Sequence, residues 1–162
     1  MRQVGRAVSV FDSLYESAST LFIKGEYDAA SKFVKEALSM RPDNCEALRL
    51  AAPTMAGLDD YQAAMDYIDR AISIQPDDAD LHDAKAGILI GANSFADAEV
   101  EARTALGIAK MDDRMPLIDG LDFIYLTLVD ALANQGKMEE AQKVLDEGRV
   151  LTKSDLLESV GK

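Results

Sequence analysis

The chain has 162 residues, 48% of them hydrophobic, and a formal net charge of −12 from 29 acidic and 17 basic side chains. Its length suits one domain with a sizeable apolar core, so the sequence predicts a single domain over residues 1–162. The strong negative charge argues against nucleic acid as a partner and against binding to anionic membrane surfaces, because both depend on lysine and arginine.

Residues that would support a metal site or a membrane anchor are scarce. Cys45 is the only cysteine and His82 the only histidine, whereas a zinc site needs about four ligands. Residues 1–10 lack the apolar stretch of a signal peptide, and no run reaches the roughly 18–20 apolar residues of a membrane span. We expect no cofactor, no membrane span and a cytoplasmic location, unless an upstream targeting segment precedes this sequence.

A period of 34 residues organises most of the chain. If Phe11 begins the first repeat, the second begins at Cys45 and the third at Ala79, so the repeats span about 11–44, 45–78 and 79–112. Such a period predicts a solenoid of stacked supersecondary units. Three positions are alanine in every repeat: Ala18, Ala52 and Ala86; Ala30, Ala64 and Ala98; Ala37, Ala71 and Ala105. We expect these alanines to be buried at helix crossings, where small side chains allow close approach.

Each repeat is predicted to contain two antiparallel helices, because its apolar positions recur at helical spacing. The first helix of the chain is predicted over about residues 8–24. Pro42 and Pro76 end the second helices, and the dipeptides that follow, Asp43-Asn44 and Asp77-Asp78, offer N-caps for the next helices. Each second helix is expected to begin at an aromatic residue: Tyr27, Tyr61 or Phe95.

A fourth repeat is predicted over about residues 122–155, after an insertion of nine residues within about 110–121. We interpret the insertion as a short loop followed by an unusually long helix from near Pro116 to about Gln135, since proline fits a first helical turn; a mobile loop before an ordinary helix is the alternative. The long helix would expose Met115, Leu117 and Ile118 as a contact surface for a partner or a second copy, unless they pack on the third repeat. Residues 155–160 are predicted to form a short capping helix.

The second repeat carries a family's pattern of small and large residues at Leu48, Ala51, Ala52, Met55, Tyr61, Ala64, Ile68, Ala71 and Pro76. At these positions the chain resembles the tetratricopeptide repeat (TPR) family. The tryptophan usual in that family is replaced by Leu14, Leu48, His82 and Tyr125. The resemblance implies an all-α fold, a TPR-like right-handed superhelix of four antiparallel helix pairs plus a short C-terminal capping helix.

The resemblance also implies a concave groove lined by the first helix of each pair. Small residues such as Ala56, Gly57 and Gly87 lie in its middle, either to make room for a peptide or only because the helices curve. Pro53 lies inside a first helix, where it removes a hydrogen bond, and the resulting bend shapes a pocket or has no function. The predicted groove residues are Asp12, Tyr15, Ser19, Phe22, Ile23, Glu46, Arg49, Pro53, Asp80, Asp83, Gly87, Ile90, Phe123, Leu126 and Asp130.

The sequence favours a non-catalytic function. His82 is predicted to be a packing residue inside its repeat, and no nucleophile accompanies it in a catalytic arrangement. We expect a protein–protein interaction module that holds a peptide or helix of a partner protein, with acidic groove edges favouring a basic partner. Two alternatives stay open: a small acidic chaperone for secretion or pilus-assembly substrates, and a self-assembling scaffold, which would make the chain a homo-oligomer.

Overall fold

The computed structural model describes residues 9–111, 120–152, 157, 159 and 160. Over these residues the chain forms eight α-helices and no strand, so the all-α prediction is confirmed. The chain divides into two compact units, Met1–Ile74 and Gln75–Lys162. The first unit contains α1 (Val10–Ile23), α2 (Tyr27–Met40), α3 (Cys45–Ala56) and α4 (Tyr61–Ile74). The second contains α5 (Ala79–Gly91), α6 (Phe95–Met111), α7 (Leu121–Asn134) and α8 (Met138–Thr152).

The helices pack as consecutive pairs joined by turns of three or four residues, which are too short for anything but antiparallel neighbours. The turn inside each pair holds one residue at positive φ, at the same position of each repeat: Gly25 (76°), Asp59 (58°), Asn93 (60°) and Gly136 (75°). Glycine, asparagine and aspartate tolerate this left-handed conformation best. In each turn the following N–H donates to a carbonyl five residues back, as from Ser94 to Leu89 at 2.8 Å. All four pairs therefore end their first helix with the same Schellman-type closure.

The helix starts follow the predicted signals. Asn44 and Asp78 are N-caps whose side chains accept hydrogen bonds from the backbone N–H of Ala47 and Asp80, both at 2.9 Å. The second helices of the first three pairs begin at the predicted aromatic residues, Tyr27, Tyr61 and Phe95. The local sequence thus sets where each helix begins.

The alanines that recur at three positions of each repeat lie in the interior between the helices. All nine predicted alanines have an exposed fraction of 0%: Ala18, Ala30, Ala37, Ala52, Ala64, Ala71, Ala86, Ala98 and Ala105. Larger apolar side chains such as Val34, Leu48 and Ile68, also 0% exposed, fill the space beside them. The prediction that these alanines are buried is confirmed.

In the fourth pair, a glycine replaces one of the alanines at the contact between the helices. Gly148 occupies the last alanine position of the repeat in α8, and a Cβ atom there would lie 2.8 Å from Cγ of Tyr125 and 3.0 Å from Cδ1 of Leu157. Tyr125 is fully buried at the place where the earlier repeats carry leucine or histidine. The larger ring therefore requires the smaller residue opposite it.

The predicted long helix from near Pro116 is wrong. Gly120 has φ 94°, in the left-handed region, and α7 begins after it, at Leu121. A right-handed helix does not continue through that conformation. The preceding helix, α6, extends to Met111. The predicted exposed residues Met115, Leu117 and Ile118, and Pro116 itself, lie outside the described residues.

The predicted capping helix over residues 155–160 lies mostly outside the described residues. Within them, Leu157 is fully buried and Val160 packs against the same core as Tyr125. The guanidinium of Arg149 donates to the carbonyl oxygens of Leu157 at 3.0 Å and Val160 at 2.8 Å. These contacts cover the apolar surface of α8, which is what a solenoid requires of its terminal element.

Gly148→Ala should destabilise the protein by about 1–3 kcal/mol, because the added methyl overpacks against Tyr125 and Leu157. Gly107, inside α6, is the matched control, since a Cβ atom there meets nothing within 4 Å. Gly107→Ala should stabilise by about 0.5–1 kcal/mol through helix propensity. Denaturant unfolding of both variants checks the pair, and equal effects would contradict the assigned packing.

Candidate functional site

Two surfaces hold the predicted groove residues, the α1/α3 face in the first unit and the α5/α7 face in the second. None of the fifteen predicted residues is buried in the core; each is half-buried or exposed. Asp12, Ile23, Glu46, Asp80, Gly87, Phe123 and Asp130 are exposed, and Tyr15, Ser19, Phe22, Arg49, Pro53, Asp83, Ile90 and Leu126 are half-buried. The structure thus places all of them at the surface of first helices, beside the buried alanine columns.

The α1/α3 face carries an aromatic and charged group. The Tyr15 ring stacks on Phe11 with centroids 6.5 Å apart. Burial raises the pKa of Tyr15, and Glu46 raises it further while Arg49 lowers it, so both charged residues of α3 lie near the tyrosine. At the far end of α1, Ile23 is 80% exposed. This face therefore offers one large apolar side chain and a mixed pair of charges.

Several predicted groove residues of the first unit have structural partners. Asp12 forms a capping box with Ser9 at the start of α1. Phe22 lies against the Tyr27 ring, with centroids 5.7 Å apart. A Cβ atom on Gly57 would lie 2.7 Å from that ring. The small residue at Gly57 is thus explained by packing against Tyr27, and it leaves no wider groove there.

Pro53 does not break its helix. α3 remains helical from Cys45 to Ala56 and ends three residues after the proline. Next to it, the buried Thr54 hydroxyl donates to the Leu50 carbonyl at 2.6 Å. The predicted pocket at Pro53 has no support in the described geometry of α3.

The α5/α7 face is centred on Asp83 and Phe123. Among the described residues, the Asp83 Oδ1 atom is buried without a hydrogen-bond partner. Thr127 lies beside this carboxylate, where its hydroxyl is shared between Asp83 and the Phe123 carbonyl, which is 3.0 Å away. Burial raises the pKa of Asp83, the Thr127 hydrogen bond lowers it, and the charge of Asp80 raises it again.

Two glutamates of the second unit, Glu101 and Glu147, are paired with cationic side chains. Against the opposing effect of burial, hydrogen bonds from His82 and Lys85 lower the pKa of Glu101. Lys110 lowers the pKa of Glu147, which also accepts a hydrogen bond from Tyr125 at 2.9 Å. Asp83 differs from these two glutamates, because its buried Oδ1 atom has no hydrogen-bond partner among the described residues. Sequence reasoning named Asp83 but not its neighbour Thr127, because nothing in the repeat pattern singles out a threonine.

Glu99 ties α6 to the turn before α8. Its Oε2 accepts from Lys137 at 2.6 Å and from Gln135 at 2.9 Å, while Oε1 accepts from Arg103 at 2.9 Å. The bond from Lys137, with those from Arg103 and Gln135, lowers the pKa of Glu99 to about 2 against an opposing effect of burial. This network stabilises the fold and lies on the second helices rather than on the α5/α7 face.

His82 is held by two oxygen acceptors. Its Nδ1 lies 2.8 Å from Glu101 Oε2, and its Nε2 lies 2.9 Å from the Pro76 carbonyl. Both ring nitrogens are therefore occupied by structural contacts. Within the described residues, no group of three or more histidine, cysteine, aspartate or glutamate side chains is arranged to hold a metal ion. None of the helices described is long and apolar enough to cross a membrane.

Asp83→Asn should raise the free energy of unfolding at pH 7. Because the folded-state pKa lies above the unfolded value of 3.8, the folded protein binds more protons between these two values, and stability falls as pH rises through them. An asparagine side chain at this position does not ionise, so the variant does not lose stability in this way. Thermal unfolding measures the effect, with Glu36→Gln, at an exposed position of α2, as the control for net charge. A lower midpoint for Asp83→Asn would show that the ionised carboxylate stabilises the fold.

Glu99→Gln should destabilise the protein at neutral pH, because it removes the charge that Lys137 and Arg103 bind. The loss should be on the order of 1 kcal/mol, since these partners are exposed and their attraction is screened by solvent. The folded-state pKa of about 2 lies below the unfolded value of 4.5, so this stabilisation is present above pH 4.5 and is lost as pH falls toward 2. Unfolding curves across this range should therefore differ less and less between wild type and variant. A constant difference would exclude the charge of Glu99 as its source.

Comparison with known proteins agrees with this architecture. Residues 21–88 match the sequence model of the tetratricopeptide repeat family, while no curated protein matches the chain. MamA (residue 41 to the end) from Desulfovibrio magneticus RS-1 is 14% identical with a TM-score of 0.74, over 90% of this chain and 77% of that chain.

Two further solved structures have the same fold. PilF from Pseudomonas aeruginosa is 14% identical with a TM-score of 0.75, over 89% of this chain and 62% of that chain. An O-GlcNAc transferase mutant from Thermobaculum terrenum is 21% identical with a TM-score of 0.64, over 80% of this chain but only 23% of that chain. Identities this low establish a shared fold and nothing more. The chain has the tetratricopeptide-repeat fold, and its residues 21–88 match the sequence model of that repeat family.

Proposed function

We propose that this chain is a non-catalytic interaction module that binds a peptide or helix of a partner protein on the exposed faces of its first helices. The fold itself is one that serves protein–protein interaction. The observation that carries the proposal is the exposure of large apolar side chains on these faces: Ile23 is 80% exposed on α1, and Phe123 is 58% exposed on α7. Exposed apolar residues on an interaction fold favour a contact with another molecule.

We also propose that the chain catalyses no reaction. His82, the only histidine, has both ring nitrogens in structural contacts. Glu99, Glu101 and Glu147 are likewise held by cationic side chains. These residues serve packing and helix pairing, which supports a binding role. A cytoplasmic location is proposed with it, on the composition of the sequence.

Site-specific photocrosslinking tests the proposal. A benzoyl-phenylalanine residue placed at Ile23 or Phe123, in the protein expressed in its own cells, should crosslink to a partner polypeptide. Val100 on α6 and Val150 on α8 are matched controls, since they are 62% and 74% exposed on second helices. They should give little or no crosslinking.

The crosslinked product also separates the alternatives. A product of twice the chain mass would identify a second copy and favour the scaffold, whereas an export substrate identified by mass spectrometry would favour the chaperone. Crosslinks that form only from Val100 and Val150, or from none of the four positions, would contradict binding on the first-helix faces.

A further inference from the structure

An open depression of about 590 Å³ lies between α1 and α2 in the first unit. Its lining consists of Ser13, Glu16, Ser17, Thr20 and Leu21 of α1, and Phe33 of α2. Phe33 is 37% exposed. Glu16 supplies the charge of this lining, to which no basic side chain of the described residues belongs. The depression is therefore polar and negative, with one aromatic side chain in its wall.

The second repeat shows what shape fills this place in the fold. The positions equivalent to those on α1 lie 34 residues further on, in α3, and they are all buried: Ala47, Leu50, Ala51, Thr54 and Met55. There α3 packs against α2 of the preceding pair as well as against α4. Among the helices described, only α2 and α3 pack against α1. A further helix is therefore the shape that the repeat geometry admits at the depression.

Glu16 selects the chemistry of such a helix. It is exposed, and within the described part of the chain its carboxylate has no ion-pair partner. A helix laid over it would remove the carboxylate from water, and burial of an unpaired charge costs free energy unless a cation accompanies it. A lysine also brings an aliphatic stem, which can pack against Leu21 and Phe33. The hydroxyls of Ser13 and Thr20 can accept hydrogen bonds from the same cation.

We propose that the depression between α1 and α2 binds a helix of a partner protein, which presents lysine or arginine to Glu16 and an apolar side chain to Phe33. This goes beyond the proposed function, because it uses a different strip of α1 from Tyr15 and Ser19. The polar lining suits reversible binding, since the same face is stable in water when no partner is present. An acidic helix meets like charge there, and so does a second copy of this chain, whose net charge is −12.

A subtractive selection tests the inference on the full chain. A phage-displayed library of alanine-based helical peptides of about 18 residues, or about five turns, is first depleted on Glu16→Lys and then selected on wild type. The surviving peptides should carry lysine or arginine and an apolar residue three or four positions apart, on one helix face. No survivor, or survivors without a basic residue, would overturn the inference.

Affinity measurements with one synthetic survivor locate its site. The affinity should fall roughly tenfold or more with Glu16→Lys and severalfold with Phe33→Ser. A peptide in which glutamate replaces the lysine should bind Glu16→Lys better than wild type, which separates lost attraction from lost folding. Glu46→Lys is the matched control and should leave the affinity nearly unchanged, because Glu46 is an exposed glutamate of α3 near Tyr15.

The remaining outcomes separate this inference from the proposed function. A peptide that responds to Glu46→Lys but not to Glu16→Lys would bind on the α1/α3 face, which would overturn the inference and leave the proposed function standing. A wild-type dimer that Glu16→Lys converts to a monomer in sedimentation would identify a second copy as the occupant, and it would also overturn the inference. Failure of the crosslinking at Ile23 and Phe123 would contradict the proposed function alone.

Discussion

The close approach of helices at alanine is the constraint on which the rest of this structure depends. Nine alanines at three repeat positions are completely buried, and only a side chain that small lets paired helices approach to the usual 8–10 Å with their larger residues interlocked. Where an aromatic ring enters the same space, the facing residue is glycine, as at Gly57 against Tyr27 and at Gly148 against Tyr125. Once this contact is fixed, the outward faces of α1 and α3, and of α5 and α7, are left free.

Periodicity predicted much of the fold because the determinants of helix pairing are local or strictly repeated. The alanines, the aromatic helix starts and the caps at Asn44 and Asp78 all follow from residue type and spacing. The fourth pair was predicted less well, since Pro116 suggested a helix start while Gly120, at φ 94°, sets the true boundary. Contacts such as that of Glu99 with Lys137 join residues far apart in sequence, and no repeat pattern indicates them.

Equivalent positions of a repeat share their conformation but not their burial. Ala47, Leu50 and Ala51 on α3 are buried, whereas the equivalent residues of α1 are Ser13, Glu16 and Ser17, which are exposed or half-buried. These polar side chains line an open depression of about 590 Å³ between α1 and α2. The residue type at these positions therefore indicates whether a helix face is covered, because it is apolar where another helix packs on the face and polar where none does.

The same reasoning explains why the site was harder to predict than the fold. Residues that point outward from a first helix bear little on packing, so the repeat pattern leaves them unconstrained. Only the folded structure shows which of these charged residues have a partner. Glu101 and Glu147 are paired with cationic side chains. Asp83, whose pKa burial raises, has an Oδ1 atom without a hydrogen-bond partner among the described residues. A carboxylate that folding would be better without is more informative about function than one that the fold employs. In this chain that distinction directs attention to the surface formed by α5 and α7.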